Sequence, residues 1–285
     1  MNRPVSKVGV IGGGTMGVGI AYVFAQSGCE VTIAEPDATR AGEASKTIHA
    51  RAQRLRDAGR LSEDRAAHIG SAVRTVDSVA ALPVDLDLIV EAVPESVDLK
   101  HTVLAAAEDR APAILATNTS ALSIATLSTP LRRPENLIGL HFFNPVWSMP
   151  LLEIVCSEQT AAPVVEAAQA IGALIEKETI VVRDVPGFAT SRLGVALGLE
   201  AIRMVEDGVA TAEDIDRAMV LGYRHPMGPL QLTDLVGLDV RLHIARQLAE
   251  TLGPRYEPPR LLEEKVRAGE LGKKSGRGFF DWSDR

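Results

Sequence analysis

The stretch Val8-Gly9-Val10-Ile11-Gly12-Gly13-Gly14-Thr15-Met16-Gly17 decides how the rest of the chain is read. Val8 to Ile11 is a short apolar run, the pattern of a strand buried on both faces. It stops at Gly12, and helical spacing begins after Gly14. Gly12, Gly14 and Gly17 fall as G-x-G-x-x-G between strand and helix. Gly12 permits the tight turn out of the strand, Gly14 lets a pyrophosphate approach the backbone, and Gly17 lets the helix pack closely on the sheet. The helix start, which includes Thr15 and Met16, turns N–H groups and a partial positive charge toward the phosphates.

The next apolar run, Val31-Thr32-Ile33-Ala34, ends on Glu35. A carboxylate at that distance from the glycines meets the adenosine ribose hydroxyls and repels a 2′-phosphate. No arginine follows at once, and Arg40 comes only five residues later. The expected cofactor is NAD rather than NADP.

With 285 residues, the chain can build two ordinary domains. Its hydrophobic content of 46% and charged content of 24% are those of a soluble globular protein. A net charge of −7 argues against generic nucleic-acid binding. Cys29 and Cys156 have no spacing that suggests a metal site or a disulfide, and both read as buried free thiols. No apolar stretch reaches the length of a membrane span. Met1-Asn2-Arg3-Pro4 runs straight into the first strand, which leaves no room for a signal peptide and points to the cytoplasm.

Further along, strands at Leu86–Val90, Ile114–Ala116 and Leu137–Leu140 alternate with helical patterns. Their ends carry Glu91, Asn118 with Ser120, and His141. This order predicts an α/β fold, a Rossmann-type doubly wound parallel sheet, whose ligands bind beyond the carboxyl ends of the strands. A long helix from Pro36 to about Asp57 ends in a basic cluster, Arg51, Arg54, Arg56 and Arg60, which also reads as a solvated face with cations near a helix C-terminus. Strands at Leu151–Val155 and Thr179–Val182 complete residues 1–184.

Asp184-Val185-Pro186-Gly187 breaks the pattern, and residues 185–285 read as an all-helical C-terminal domain. Helices are expected at Phe188–Asp207, Thr211–Leu221, Pro229–Leu252 and Pro259–Ala268, with Thr211-Ala212-Glu213-Asp214 resembling a capping box. So much apolar-faced helix needs a partner surface, and a homodimer through this half is expected.

The chemistry points to His141 and to Glu153, an acid inside an apolar strand. Histidine titrates near neutral pH, and a buried carboxylate needs a cation or donors. A His–Glu pair satisfies both: the carboxylate fixes the imidazole tautomer and stabilises the imidazolium. With NAD, that pair implies oxidation of an alcohol. Ser120, at a neighbouring strand end, is placed to donate to a substrate oxygen, although a serine there also reads as a helix cap. No Gly-X-Ser-X-Gly elbow or Cys–His pairing supports hydrolysis.

Gly12–Gly17, Glu91-Ala92-Val93-Pro94-Glu95, Asn118-Thr119-Ser120, His141-Phe142-Phe143-Asn144-Pro145-Val146, Pro226-Met227-Gly228-Pro229 and Gly237-Leu238-Asp239 occur in one order along the chain. Together they resemble the L-3-hydroxyacyl-CoA dehydrogenases, with the 3-hydroxybutyryl-CoA branch close. The resemblance implies interconversion of (S)-3-hydroxyacyl-CoA and 3-ketoacyl-CoA, the chemistry of fatty-acid β-oxidation. It makes His141 the general acid/base, oriented by Glu153, and has Ser120 contact both substrate oxygen and cofactor. Glu35 holds the ribose, Asn118 lines the cofactor site, and Glu95, Lys100 and Asn144 meet the nicotinamide end. Residues 185–285 would close over the substrate and dimerise.

Two positions depart from the family pattern. Ser191 stands where an asparagine is common in the Pro-Gly-Phe segment, and Arg51 and Ala58 stand where a serine and a lysine hold CoA. Arg51 and Arg54, on one helix face, are the candidate CoA ligands. Two other readings remain beside the acyl-CoA one: a dehydrogenase of a free hydroxy acid or sugar acid such as gulonate, and a non-catalytic dinucleotide-binding protein.

Overall fold

The computed structural model describes residues 5–283, so the stretch Met1-Asn2-Arg3-Pro4, on which the leader reading rests, lies outside the described residues. The chain forms two compact units, residues 1–184 and 185–285.

The first unit is built on one eight-stranded sheet in the order β3-β2-β1-β4-β5-β6-β7-β8. The strands are β1 (Lys7–Ile11), β2 (Glu30–Ala34), β3 (Val73–Val76), β4 (Leu88–Glu91), β5 (Ile114–Thr117), β6 (Leu137–Phe142), β7 (Leu151–Cys156) and β8 (Glu178–Arg183). The helices are α1 (Thr15–Gln26), α2 (Ala38–Asp57), α3 (Glu63–Ala72), α4 (Val97–Glu108), α5 (Ile124–Leu127) and α6 (Ala162–Leu174). Burial explains the apolar runs: β4, β5 and β6 are buried at every position, as is α1 from Gly17 to Ala25. Asp37 starts α2 by accepting the N–H groups of Thr39 and Arg40.

The Rossmann-type sheet expected from the sequence is present, and it is mostly rather than wholly parallel. Strands β1 to β6 are parallel, but β7 pairs antiparallel with β6, and β8 runs parallel to β7. Only residues 143–150 join β6 to β7. A parallel return needs a crossover of roughly a dozen residues or more, so this loop reverses the chain.

The second unit is helical: α7 (Thr190–Glu206), α8 (Ala212–Tyr223), α9 (Pro229–Val236), α10 (Leu238–Leu252) and α11 (Arg260–Arg267). Val195, Leu199, Ile202, Leu230, Leu242 and Leu248 form the centre of its core. Thr211 caps α8 through the Asp214 N–H. The single helix expected from Pro229 to Leu252 is two, because Gly237 at φ +102 leaves the helical region between them. The tail is held by Asp234, whose carboxylate accepts the N–H groups of Phe279 and Phe280 and the Trp282 indole N–H. Among the described residues, no helix is long and apolar enough to cross a membrane, and no cluster of acids, histidines and cysteines could hold a metal.

Candidate active site

The glycine loop has the geometry its spacing implies. Gly12 sits at φ +105, and a Cβ there would fall 2.8 Å from the Ala92 carbonyl oxygen. At Gly17 a Cβ would fall 1.9 Å from the Gly12 carbonyl oxygen, so only glycine lets α1 start against the strand end. Nothing lies within 4 Å of the place a Cβ would take at Gly14, and no side chain caps α1. That open approach beside uncapped helix N–H groups fits a dinucleotide pyrophosphate. Glu35 closes the other side of the loop. Its carboxylate accepts the Gly13 N–H at 2.9 Å, the Asp37 N–H at 3.0 Å and an Arg40 guanidinium N–H at 3.0 Å. Burial would raise the Glu35 pKa, but these donors and the Arg40 charge outweigh it and hold the carboxyl below its ordinary value. Arg40, five residues beyond Glu35 in the chain, is therefore a direct partner of that acid.

The adjacent strand ends carry a buried charge network. Lys100 on α4 and Glu91 at the end of β4 are both fully buried, with Lys100 Nζ 2.8 and 2.9 Å from the two carboxylate oxygens. Thr117 donates to Glu91 at 2.7 Å, and the Val93 N–H donates to it at 2.6 Å. The same ammonium reaches the Asn118 carbonyl at 3.2 Å and Glu95 at 3.5 Å. Glu95 in turn accepts the Thr119 hydroxyl at 2.5 Å and the Ser120 N–H at 3.0 Å, with the Ser120 hydroxyl 3.5 Å away. The Asn118 side-chain oxygen accepts the Phe142 N–H at 3.0 Å, which ties β5 to β6 beside His141. Lys100, which the resemblance sets at the nicotinamide end, is thus enclosed by Glu91, Glu95 and the Asn118 carbonyl, and it braces those groups. Sequence reading left Glu91 without a role. An acid closing an otherwise apolar strand was the available signal, but its partner lies on the following helix.

His141 and Glu153 are register partners across β6 and β7. Directly opposed residues of an antiparallel pair project from the same face. His141 Nδ1 lies 2.7 Å from Glu153 Oε2, with the histidine 6% exposed and the acid fully buried. A carboxylate accepting Nδ1–H fixes the tautomer in which Nε2 carries the basic lone pair. The Phe143 ring lies 4.4 Å from the imidazole, centre to centre. Asn144 is exposed on the loop that follows. Lys177 holds this loop by donating to the Val146 and Met149 carbonyls at 2.7 Å each.

Of the candidate CoA ligands, Arg51 is not a free surface cation. Its guanidinium stacks 4.2 Å from the Trp147 ring centre and 5.1 Å from that of Tyr22, and its Nε is buried without a partner. Arg54, one turn on, is exposed. Trp147, on the loop after His141, therefore anchors this part of α2. Ser191 lies in the first turn of α7, in the second unit.

The family model described as 3-hydroxyacyl-CoA dehydrogenase, NAD binding domain, matches residues 7–185, and that of the family's C-terminal domain matches residues 187–282. The chain belongs to the 3-hydroxyacyl-CoA dehydrogenase family. Its cofactor is NAD, in line with the open glycine loop and the ionised Glu35. It is 40% identical to 3-hydroxybutyryl-CoA dehydrogenase of Mycobacterium tuberculosis, over 99% of this chain and all of that one. Among solved structures, M. tuberculosis FadB2 superposes with a TM-score of 0.92 at 38% identity, covering 98% of this chain and 99% of that chain. The (S)-3-hydroxybutyryl-CoA dehydrogenase PaaH1 of Ralstonia eutropha gives a TM-score of 0.92 at 34% identity, covering 98% of this chain and all of that one. Within this 3-hydroxyacyl-CoA dehydrogenase fold, the glycine loop, Glu35, Ser120 and the His141–Glu153 pair all stand at carboxyl ends of the parallel strands or directly opposite one.

Proposed function

We propose that this chain interconverts (S)-3-hydroxyacyl-CoA and 3-ketoacyl-CoA, with His141 as the general acid/base. The observation that carries the proposal is the buried His141–Glu153 pair on the sheet that also holds the glycine loop. In the oxidative direction, Nε2 takes the hydroxyl proton, and Glu153 stabilises the imidazolium through Nδ1–H. In reduction the same proton is returned to the carbonyl oxygen. Bound NAD supplies the hydride acceptor, and its reduced form the donor. The Ser120 hydroxyl donates to the substrate oxygen, and Glu95 holds the Ser120 backbone in place. Gly12 to Gly17 and Glu35 hold the pyrophosphate and adenosine ribose, while Glu95, Asn118 and Asn144 line the nicotinamide side. Arg51 and Arg54 on α2 meet phosphate groups of CoA, and Ser191 meets the acyl end.

The protein works in the cytoplasm as a homodimer joined through the second unit. Exposed Leu193, Leu197, Leu221, Leu232 and Val236 there support this pairing.

A free 3-hydroxy acid is the second reading. The stacking of Arg51 on Trp147 favours it, because that guanidinium is already engaged. NADH oxidation by the purified protein separates the two. Turnover with acetoacetyl-CoA and none with acetoacetate is expected. Turnover with the free acid alone moves the assignment to the second reading, and NADH binding without turnover of either removes both.

A further inference from the structure

Arg241 on α10 is 5% exposed, and among the described residues nothing accepts a hydrogen bond from its guanidinium or pairs with it. Burial pushes its pKa down to about 10, which still leaves it a cation at neutral pH. Folded chains pair buried charges because an isolated one is expensive. Arg241 therefore needs an acceptor that its own unit does not supply.

Its position says where that acceptor comes from. Gly194 and Gly198 lie one turn apart on α7. A Cβ at Gly198 would fall 3.3 Å from Arg241 Nε, and one at Gly194 would fall 3.5 Å from its Nη1. The guanidinium thus runs along the glycine side of α7. Beside that side, at i, i+4 and i+7, Leu193, Leu197 and Glu200 face solvent at 65%, 46% and 69% exposure. Leu232 and Val236 on α9 and Val240 on α10 are exposed as well. The unpaired cation lies next to an apolar stripe that ends in an acid.

The stripe is self-complementary. If α7 lies antiparallel on its copy about a two-fold axis near Leu197, position 194 faces position 200. Leu197 then meets its own copy, and each Glu200 meets position 194, on the glycine edge where the other copy's Arg241 lies. An isologous contact requires this reciprocity. Among the described residues Glu200 pairs with Arg203 at 3.6 Å, an exposed pair of the kind that contributes little.

We propose that Glu200 of a second copy completes the buried Arg241 guanidinium, so that each subunit's charge is satisfied only in the homodimer. The proposal rests on the homodimer of the preceding section and adds the contact on which its stability depends. A second copy is favoured over a small anion because the helices around the cation, α7, α9 and α10, carry exposed leucine and valine side chains.

Sedimentation equilibrium of the full chain tests it, with wild type, Arg241→Met, Glu200→Ala and the double variant. Each single variant is expected to raise the dimer Kd by roughly tenfold or more, and the double to be no weaker than either. Below the dimer Kd, the thermal midpoint of Arg241→Met should not fall, since methionine removes an unpaired buried charge and keeps its volume. A Kd unchanged in either single variant, or losses that simply add, overturns the contact while leaving the dimer standing. A wild type that stays monomeric at micromolar concentration overturns the dimer and the contact together. Inorganic sulfate raising the midpoint of wild type but not of Arg241→Met, with Kd unchanged, assigns the cation to a small anion and also overturns the contact. Should Arg241→Met fail to fold, Glu200→Ala decides alone, because its side chain is exposed.

Discussion

His141 and Glu153 stand directly opposite each other across an antiparallel strand pair, 2.7 Å from nitrogen to oxygen. The loop of residues 143–150 reverses the chain so that the two fall in register. The acid is fully buried, so its charge is directed at one ring nitrogen with little screening.

His141→Gln removes the proposed proton acceptor and keeps the ring's approximate volume. We expect kcat to fall by roughly 10²–10⁴-fold with NADH binding intact, measured by nicotinamide absorbance and by fluorescence titration. Glu153→Gln should lower kcat less and move the pH profile of turnover. A profile that does not move would make Glu153 only a satisfied buried acid.

In the proposed assignment Glu35 and Arg40 set cofactor choice together. Replacing Glu35 with serine removes the proposed charged acceptor of the ribose hydroxyls and frees the Arg40 guanidinium, now 3.0 Å from the acid. A hydrogen bond to a charged group contributes about 1.5–3 kcal/mol, so KM for NADH should rise roughly ten- to hundredfold while NADPH becomes a usable donor. Because the Glu35 carboxyl is held below its ordinary value, its ionisation stabilises the fold above the ordinary carboxylate range. That contribution is lost as pH falls through the depressed value. Glu35→Gln should therefore flatten the acid limb of a thermal-midpoint series run from about pH 6 to pH 3.

The Glu91–Lys100 pair should show strong coupling. Burial raises the Glu91 pKa against the pull of Lys100, Thr117 and the Val93 N–H, so neither charge is stable there without the other. Glu91→Gln alone leaves a buried ammonium and should cost about 3–5 kcal/mol in chemical denaturation. Glu91→Leu with Lys100→Met should recover most of that loss in stability. The double variant should still turn over slowly, because Glu95 and Asn118 lose their brace.

Gly14 and Gly17 should separate binding from folding. Gly14→Ala meets no protein atom and should fold normally while weakening NADH binding. Gly17→Ala drives a methyl group into the Gly12 carbonyl and should lower the thermal midpoint as well.

Cys29 should be chemically silent in the native protein. Burial first, and then the Asp87 charge, pushes its thiol up to about 11, and burial raises Cys156 as well. At about pH 8 iodoacetamide should label neither thiol in the time that the denatured chain takes two equivalents, read by intact mass.

The glycine loop, Glu35 and the strand ends were legible from the chain alone because each is a local pattern. An apolar run, a glycine at a forced position and a polar residue where the run stops are all written within a dozen residues. Glu153 was legible for a related reason, since an acid among Leu152, Ile154 and Val155 has to be satisfied by something. Other features depended on which distant side chains meet. The sequence could suggest that Arg51 binds phosphate, but only the fold sets it on Trp147 and Tyr22. Nor does the chain alone pair Lys100 with Glu91, which only the packing of α4 against β4 brings together. The reversal at β7 and the break at Gly237 follow from loop length and one backbone angle, which apolar periodicity does not encode. Periodicity and residue type determined which elements form and which faces they bury; three-dimensional packing decided which charges are paired, and among the described residues it left the buried Arg241 Nε without an acceptor.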